Sequence, residues 1–83
     1  MTQGNRIKQR REAAKMSRFD AAQAMTAAGR PTRESDFYRW ESDRNQPDSN
    51  ALRILSQVLN TSADYFLGLS DQHEVLASER AAV

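Results

Sequence analysis

Residues 31–42 read Pro-Thr-Arg-Glu-Ser-Asp-Phe-Tyr-Arg-Trp-Glu-Ser, and they combine bulky rings with strong hydrogen-bond donors. Their spacing predicts a short helix with Thr32 as its N-cap, because a threonine hydroxyl can accept from a free N–H of the first turn. Residues three and four positions apart share a helix face, so Phe37, Trp40 and Glu41 fall on one side. Two large rings on so short a helix predict that this side is buried.

The opposite side of the predicted helix carries the polar residues Ser35, Arg39 and Ser42, with Tyr38 at the boundary. Serine and arginine are residue types that hydrogen-bond base edges and phosphate oxygens. A helix with one buried face and one such polar face is typical of DNA recognition. The working hypothesis for residues 31–42 is therefore a DNA-recognition helix.

The formal net charge of the chain is only +1 at pH 7, but the charge is unevenly distributed. Residues 1–45 contain ten Lys or Arg against six Asp or Glu, whereas residues 70–83 contain three acidic residues and one arginine. The predicted recognition helix therefore lies in the basic half of the chain. This asymmetry fits a polyanionic partner, and an ordinary solvated surface would account for it equally well.

Four other segments have the composition and spacing of helices that could hold this one in place. They are residues 5–15 with Ile7, Arg11 and Ala14 on one face, residues 17–28 between Ser17 and Gly29, a helix from a cap at Asp48 or Ser49 to Asn60, and residues 63–67 between Ser62 and Gly68. The main apolar stripe lies on the fourth helix, at Ala51, Leu52, Leu55, Val58 and Leu59. With no strand pattern and no internal repeat, the sequence predicts an all-α, five-helix domain over residues 1–71.

The composition narrows the class of protein. Eighty-three residues without cysteine allow one small domain that depends on packing rather than on disulfides or thiolate metal sites. No secretion signal and no apolar stretch of membrane-spanning length is visible, so we expect a cytoplasmic protein with no membrane partner. His73 is the only histidine, and no catalytic, metal-ligating or phosphate-loop spacing is present. We therefore expect a protein that is not an enzyme and that needs neither metal nor cofactor.

Over residues 5–71 the sequence resembles the lambda-repressor-like helix-turn-helix family, the Cro/C1-type regulators. The residues that carry the resemblance occur in the family's order: Arg6, Ile7, Lys8 and Arg11; Met16, Ser17, Arg18, Ala22 and Met25; Phe37, Arg39, Trp40 and Glu41; Pro47; and Leu52, Leu55 and Leu59. Residues 62–71, Ser-Ala-Asp-Tyr-Phe-Leu-Gly-Leu-Ser-Asp, are similar to the family's fifth helix.

The resemblance implies DNA contacts at the start of the second helix, on the third helix and in the turn after it. The matching residues are Arg18, Arg33, Glu34, Ser35, Tyr38, Arg39, Arg44 and Asn45. Arg18 would touch the DNA backbone or a nearby base, the third-helix residues would face the major groove, and Arg44 and Asn45 would contact phosphates. For Arg18, Arg44 and Asn45 the alternative is plain solvent exposure. For Glu34 it is repulsion of wrong sequences, or stabilisation of the helix N-terminus.

The resemblance also implies that Arg11 and Glu41 form an ion pair that joins the first helix to the third. The role of this pair would be structural, because an ion pair inside the protein carries no information about DNA sequence.

Two features depart from the family's pattern. Between Met25 and Phe37 the chain has about five residues more than a tight helix-turn-helix turn, so the second helix is longer, or the turn is, or both. Arg30 and Arg33 in this lengthened connector would add contacts to the DNA backbone. The usual leucine of the second helix is replaced by Ala21. Phe19 then either fills the missing volume or is exposed at a subunit contact.

The resemblance predicts a sequence-specific regulator of transcription that binds double-stranded DNA, similar to a small Cro-like repressor or to a phage or restriction-modification controller. Its partners would be an operator duplex and a second copy of the chain in a homodimer. The alternative is an antitoxin-like interaction module that binds a toxin protein, with DNA binding secondary. Residues 72–83 form a C-terminal tail that is either frayed or paired with a second subunit.

Overall fold

A computed structural model describes residues 2–69 and shows five α-helices within them, with no strand in that range. The helices are α1 (Gln3–Ala13), α2 (Arg18–Ala27), α3 (Glu34–Glu41), α4 (Ser49–Val58) and α5 (Ala63–Phe66). The predicted all-α, five-helix architecture is therefore confirmed. The C-terminal tail predicted for residues 72–83 lies outside the described residues, as do residues 70 and 71 at the end of the predicted domain.

Most helix ends follow from local hydrogen bonds. The Ser17 hydroxyl accepts from the Asp20 N–H at 3.0 Å, and the Asp20 carboxylate accepts from the Ser17 N–H at 3.2 Å. Asp48 caps α4 and Ser62 caps α5 in the same way, each through its side-chain oxygen. Gly29 ends α2 in the left-handed region, at φ +105°. These four helix ends agree with the sequence-based prediction.

The start of α3 differs from the prediction, because Arg33 rather than Thr32 is its N-cap residue. The Asp36 carboxylate accepts from the Arg33 N–H at 2.9 Å, so a side chain inside the helix stabilises its first turn. Thr32 is buried in the connector, where its hydroxyl donates to the Arg30 carbonyl and its N–H donates to the Thr26 hydroxyl. Thr32 lies one residue before the N-cap, and its hydroxyl accepts from the Arg30 guanidinium rather than from an N–H of α3.

The core lies between the five helices, and α3 borders it between α1 and α2. α1 packs against α3 and α5, α2 packs against α3 and α4, and α4 packs against α5. The buried apolar residues come from all five helices and include Ile7, Ala21, Ala22, Met25, Phe37, Trp40, Ala51, Ile54, Leu55, Leu59, Tyr65 and Phe66. Leu52 and Val58 of the predicted α4 stripe are only partly buried. Ala14 is exposed, because α1 has ended before it.

The first turn of α1 lies directly against the end of α3. A Cβ atom at Gly4 would lie 2.5 Å from the Trp40 carbonyl oxygen and 2.6 Å from that of Glu41, so only glycine fits at this approach. The Gly4 N–H donates to the Asp43 carboxylate at 3.0 Å. Asp43 itself has φ +60°, which turns the chain away from α3. Nothing in the sequence pattern predicts this contact between α1 and the end of α3.

Candidate nucleic-acid interface

The two sides of α3 have opposite environments. Phe37 is fully buried and Trp40 is 5 % exposed, and their ring centroids lie 5.1 Å apart in an edge-to-face arrangement. Ser35, Tyr38 and Arg39 are exposed on the outer side. Within residues 2–69, the side chains of Ser35 and Arg39 make no hydrogen bond or ion pair with another residue. No neighbour in the described part of the chain therefore occupies their polar groups.

Glu41, at the end of α3, forms a bidentate ion pair with Arg11 of α1. Arg11 Nε lies 2.6 Å from one carboxylate oxygen and Nη2 lies 3.1 Å from the other. Only 8 % of the Arg11 side chain and 3 % of the Glu41 side chain are exposed. The pKa of Arg11 is raised, chiefly by its hydrogen bond to Glu41. This pair connects the two helices across the core, on the opposite side of α3 from Ser35.

Arg18, at the start of α2, is the second arginine bound to Glu41. Its Nε donates to a Glu41 carboxylate oxygen at 3.1 Å, and its side chain is 38 % exposed. The Arg18 guanidinium also lies 5.7 Å from the centre of the Tyr38 ring. Arg18 is thus neither freely solvated nor fully enclosed. The local pattern of the sequence does not predict this ion pair, because the two residues are 23 positions apart.

The turn after α3 places Arg44 and Asn45 beside the outer face of the helix. The N–H groups of both residues donate to the Arg39 carbonyl, at 2.9 Å and 3.3 Å. Both side chains are exposed. The Arg44 guanidinium lies 5.7 Å from the centre of the Tyr38 ring, the same distance as that of Arg18. The turn therefore adds a cation to the surface formed by Tyr38 and Arg39.

The beginning of α3 contributes Arg33 and Glu34, and both are exposed. The Arg33 guanidinium pairs with Asp36 at 3.6 Å, although 76 % of its side chain is accessible to solvent. Glu34 lies at one end of an open groove between α2 and the connector, and Phe19 contributes to the same groove. Phe19 is 53 % exposed, so it does not fill the core volume that Ala21 leaves.

The connector between α2 and α3, residues 28–33, folds back onto the protein. The Arg30 guanidinium lies 5.4 Å from the centre of the Trp40 indole and 3.6 Å from the Asp48 carboxylate. The pKa of Asp48 is lowered, chiefly by the hydrogen bond from the Ala51 N–H and further by Arg30. These two contacts hold Arg30 against the protein, and its expected contact with the DNA backbone stays a prediction.

Between residues 2 and 69, no three or more His, Cys, Asp or Glu side chains are grouped so that they could hold an ion. Among these same residues, no helix combines the length and the apolar character needed to cross a membrane.

The comparisons with known proteins locate this arrangement among solved structures. The chain is similar to the P22 c2 repressor protein, crystallised in complex with the synthetic operator 9T in the presence of Tl+. The TM-score is 0.75 at 24 % sequence identity, over 84 % of this chain and 98 % of the other. No family model and no curated protein matches the sequence. The five-helix arrangement and this structural match show that the chain has the lambda-repressor-like helix-turn-helix fold.

Proposed function

We propose that the protein is a sequence-specific regulator of transcription that binds double-stranded DNA, with α3 in the major groove. The observation that carries this proposal is the arrangement of α3. Phe37 and Trp40 fix the helix to the core, while Ser35 and Arg39 are exposed on its outer face. The similarity in fold to a repressor crystallised with its operator supports the same conclusion.

The exposed residues differ in the DNA groups that they suit. Arg39 can donate two hydrogen bonds to O6 and N7 of guanine, and Ser35 can bond to either kind of base edge. Glu34 can accept from N4 of cytosine, or it can repel sequences that lack a donor there. Arg33 and Asn45 are placed at the two ends of α3, where we assign them to backbone phosphates.

The biological role that we propose is that of a small Cro-like repressor, or of a phage or restriction-modification controller, which acts by occupying an operator. A homodimer would present two α3 helices to half-sites about 34 Å apart, one turn of the duplex. The dimer is testable by light scattering of the protein on a palindromic duplex. A single protein copy per palindrome would contradict this arrangement.

The proposed function is tested by selecting duplexes from a random pool and measuring their affinity as a function of salt. We expect one sequence to be enriched and log K to fall linearly with log salt, by about 0.9 per phosphate neutralised. No enrichment together with a flat salt dependence would contradict DNA recognition. Stable co-purification with the product of a neighbouring gene would favour the antitoxin-like alternative instead.

The substitution Arg39→Ala should relax the base preference at one position of the selected site by about 1 to 3 kcal/mol, because a bidentate contact to guanine is lost. The measurement is competition between the selected duplex and duplexes with single changes. Arg44→Ala is the control, because loss of a phosphate contact weakens binding to all sequences alike. If Arg39→Ala leaves the preference unchanged, Arg39 is not part of the reading face.

A further inference from the structure

Three side chains from three different elements meet around the ring of Tyr38. Arg18 comes from the start of α2, Tyr38 from the middle of α3, and Arg44 from the turn that follows α3. Each guanidinium carbon lies 5.7 Å from the centre of the ring, within the range of a cation–π interaction. The Tyr38 ring therefore lies beside two cations, one that precedes α3 in the sequence and one that follows it.

An attraction is needed to hold each guanidinium group beside the ring, because an arginine side chain is long and flexible. The ring of Tyr38 supplies part of it, because each cation is drawn to the negative charge of the aromatic face. Glu41 supplies another part for Arg18, through the 3.1 Å hydrogen bond to Nε. Arg44 has no carboxylate partner among residues 2–69, so the Tyr38 ring is the group that orients its guanidinium.

We propose that Tyr38 is a positioning residue that holds Arg18 and Arg44 ready for phosphates of the DNA backbone, rather than a residue that reads a base. This inference rests on the proposed function. Ordering a long arginine side chain costs conformational entropy, and a ring that orders it beforehand removes part of this cost from binding. Tyr38 is 46 % exposed, so both arginines are held at the surface where a phosphate can reach them.

The two roles for Tyr38 need different parts of the side chain. Positioning the arginines needs the aromatic ring, which phenylalanine keeps. Reading a base by hydrogen bonding needs the hydroxyl, which phenylalanine lacks. Tyr38→Phe and Tyr38→Leu therefore separate the two roles, and the half-exposed position means that both variants should fold.

The experiment measures the affinity of each variant for the selected duplex and for a scrambled duplex. Tyr38→Leu should weaken binding to both duplexes by the same factor, about threefold to tenfold, because two cation–π contacts are lost. Tyr38→Phe should recover most of this loss. A change in the ratio of the two affinities in either variant would show that Tyr38 reads a base, and would overturn the proposal.

A double-mutant cycle tests whether Tyr38 acts through the arginine. In the Tyr38→Leu background, Arg44→Ala should weaken binding by a smaller factor than it does in the wild-type protein, because Arg44 is already disordered. Equal factors in the two backgrounds would mean that Tyr38 and Arg44 act independently, and would overturn the proposal.

A measurement without DNA separates this inference from the proposed function. Side-chain NMR resonances of Arg18 and Arg44 should carry ring-current shifts in the wild-type protein and in Tyr38→Phe, and should lose them in Tyr38→Leu. Unchanged arginine resonances in Tyr38→Leu would overturn the arrangement even if DNA binds. If the shifts behave as expected but no duplex is bound, the arrangement stands and the proposed function fails.

Discussion

Replacing Glu41 with alanine should lower the free energy of unfolding by about 3 to 5 kcal/mol, because it leaves a buried guanidinium without its counter-charge. Only 8 % of the Arg11 side chain is exposed, so bulk water does not readily replace the two hydrogen bonds that Glu41 accepts from Arg11. Arg11 would keep its 2.8 Å hydrogen bond to the Met16 carbonyl, which satisfies Nη1 alone. For a domain of this size the melting midpoint should fall by more than about 10 °C.

The matched control is Arg18→Ala, which removes the other partner of Glu41. The Arg18 side chain is 38 % exposed, so we expect a loss of about 1 kcal/mol or less. A second variant, Arg11→Met with Glu41→Leu, removes both buried charges together and should recover most of the stability lost in Glu41→Ala. Urea titrations of these variants measure the differences in the free energy of unfolding. If Glu41→Ala and Arg18→Ala lower the free energy of unfolding equally, burial of Arg11 does not explain the effect of Glu41→Ala.

The helix ends were largely predictable, because a cap involves residues that are close together in the sequence. Ser17, Asp48 and Ser62 each accept from the N–H three positions later, so four consecutive residues contain the whole signal. Thr32 satisfies the same local rule and yet does not cap α3. Its hydroxyl accepts from the Arg30 guanidinium in the connector, and the N-cap is the next residue, Arg33, whose N–H donates to the Asp36 carboxylate.

Contacts between distant parts of the chain could not be predicted from the residues themselves. The Gly4 N–H and the Asp43 carboxylate are 39 positions apart, and Arg18 is 23 positions from Glu41. Hydrophobic periodicity determines which face of each helix is buried, but it does not specify which polar atoms meet once the helices have packed. The Arg11–Glu41 pairing was expected only through the resemblance to a known family.

One part of the candidate interface could be predicted, because it depends only on which face of α3 is turned toward the core. Once Phe37 and Trp40 point into the core, the geometry of an α-helix places Ser35 and Arg39 outside. The connector before α3 has no such periodic constraint. The position of Arg30, against Trp40 and Asp48, depends on the path of residues 28–33, which only the structure reveals.

Replacing Phe37 with alanine should lower the free energy of unfolding by about 3 to 5 kcal/mol, because a fully buried ring is removed and the surrounding side chains only partly close the cavity. Trp40 is the only tryptophan of the chain, and its indole contacts the Phe37 ring. Tryptophan fluorescence during urea titration therefore reports directly on the site of the change. Phe19→Ala is the matched control, since it removes the same side chain from a position that is 53 % exposed.

The control, Phe19→Ala, should change the stability by about 0.5 kcal/mol. Because both variants remove the same side chain, the difference between them measures the effect of burying it. The affinity for DNA should likewise fall more in Phe37→Ala than in Phe19→Ala. An eight-residue helix such as α3 is too short to be stable in water without tertiary packing, so α3 depends on its buried rings for its structure. Phe37→Ala should therefore weaken binding to every duplex, whereas Arg39→Ala changes the preference among duplexes. Similar losses of stability for Phe37→Ala and Phe19→Ala would mean that α3 is not held through its buried face, and the assignment of its outer face to DNA would fail with it.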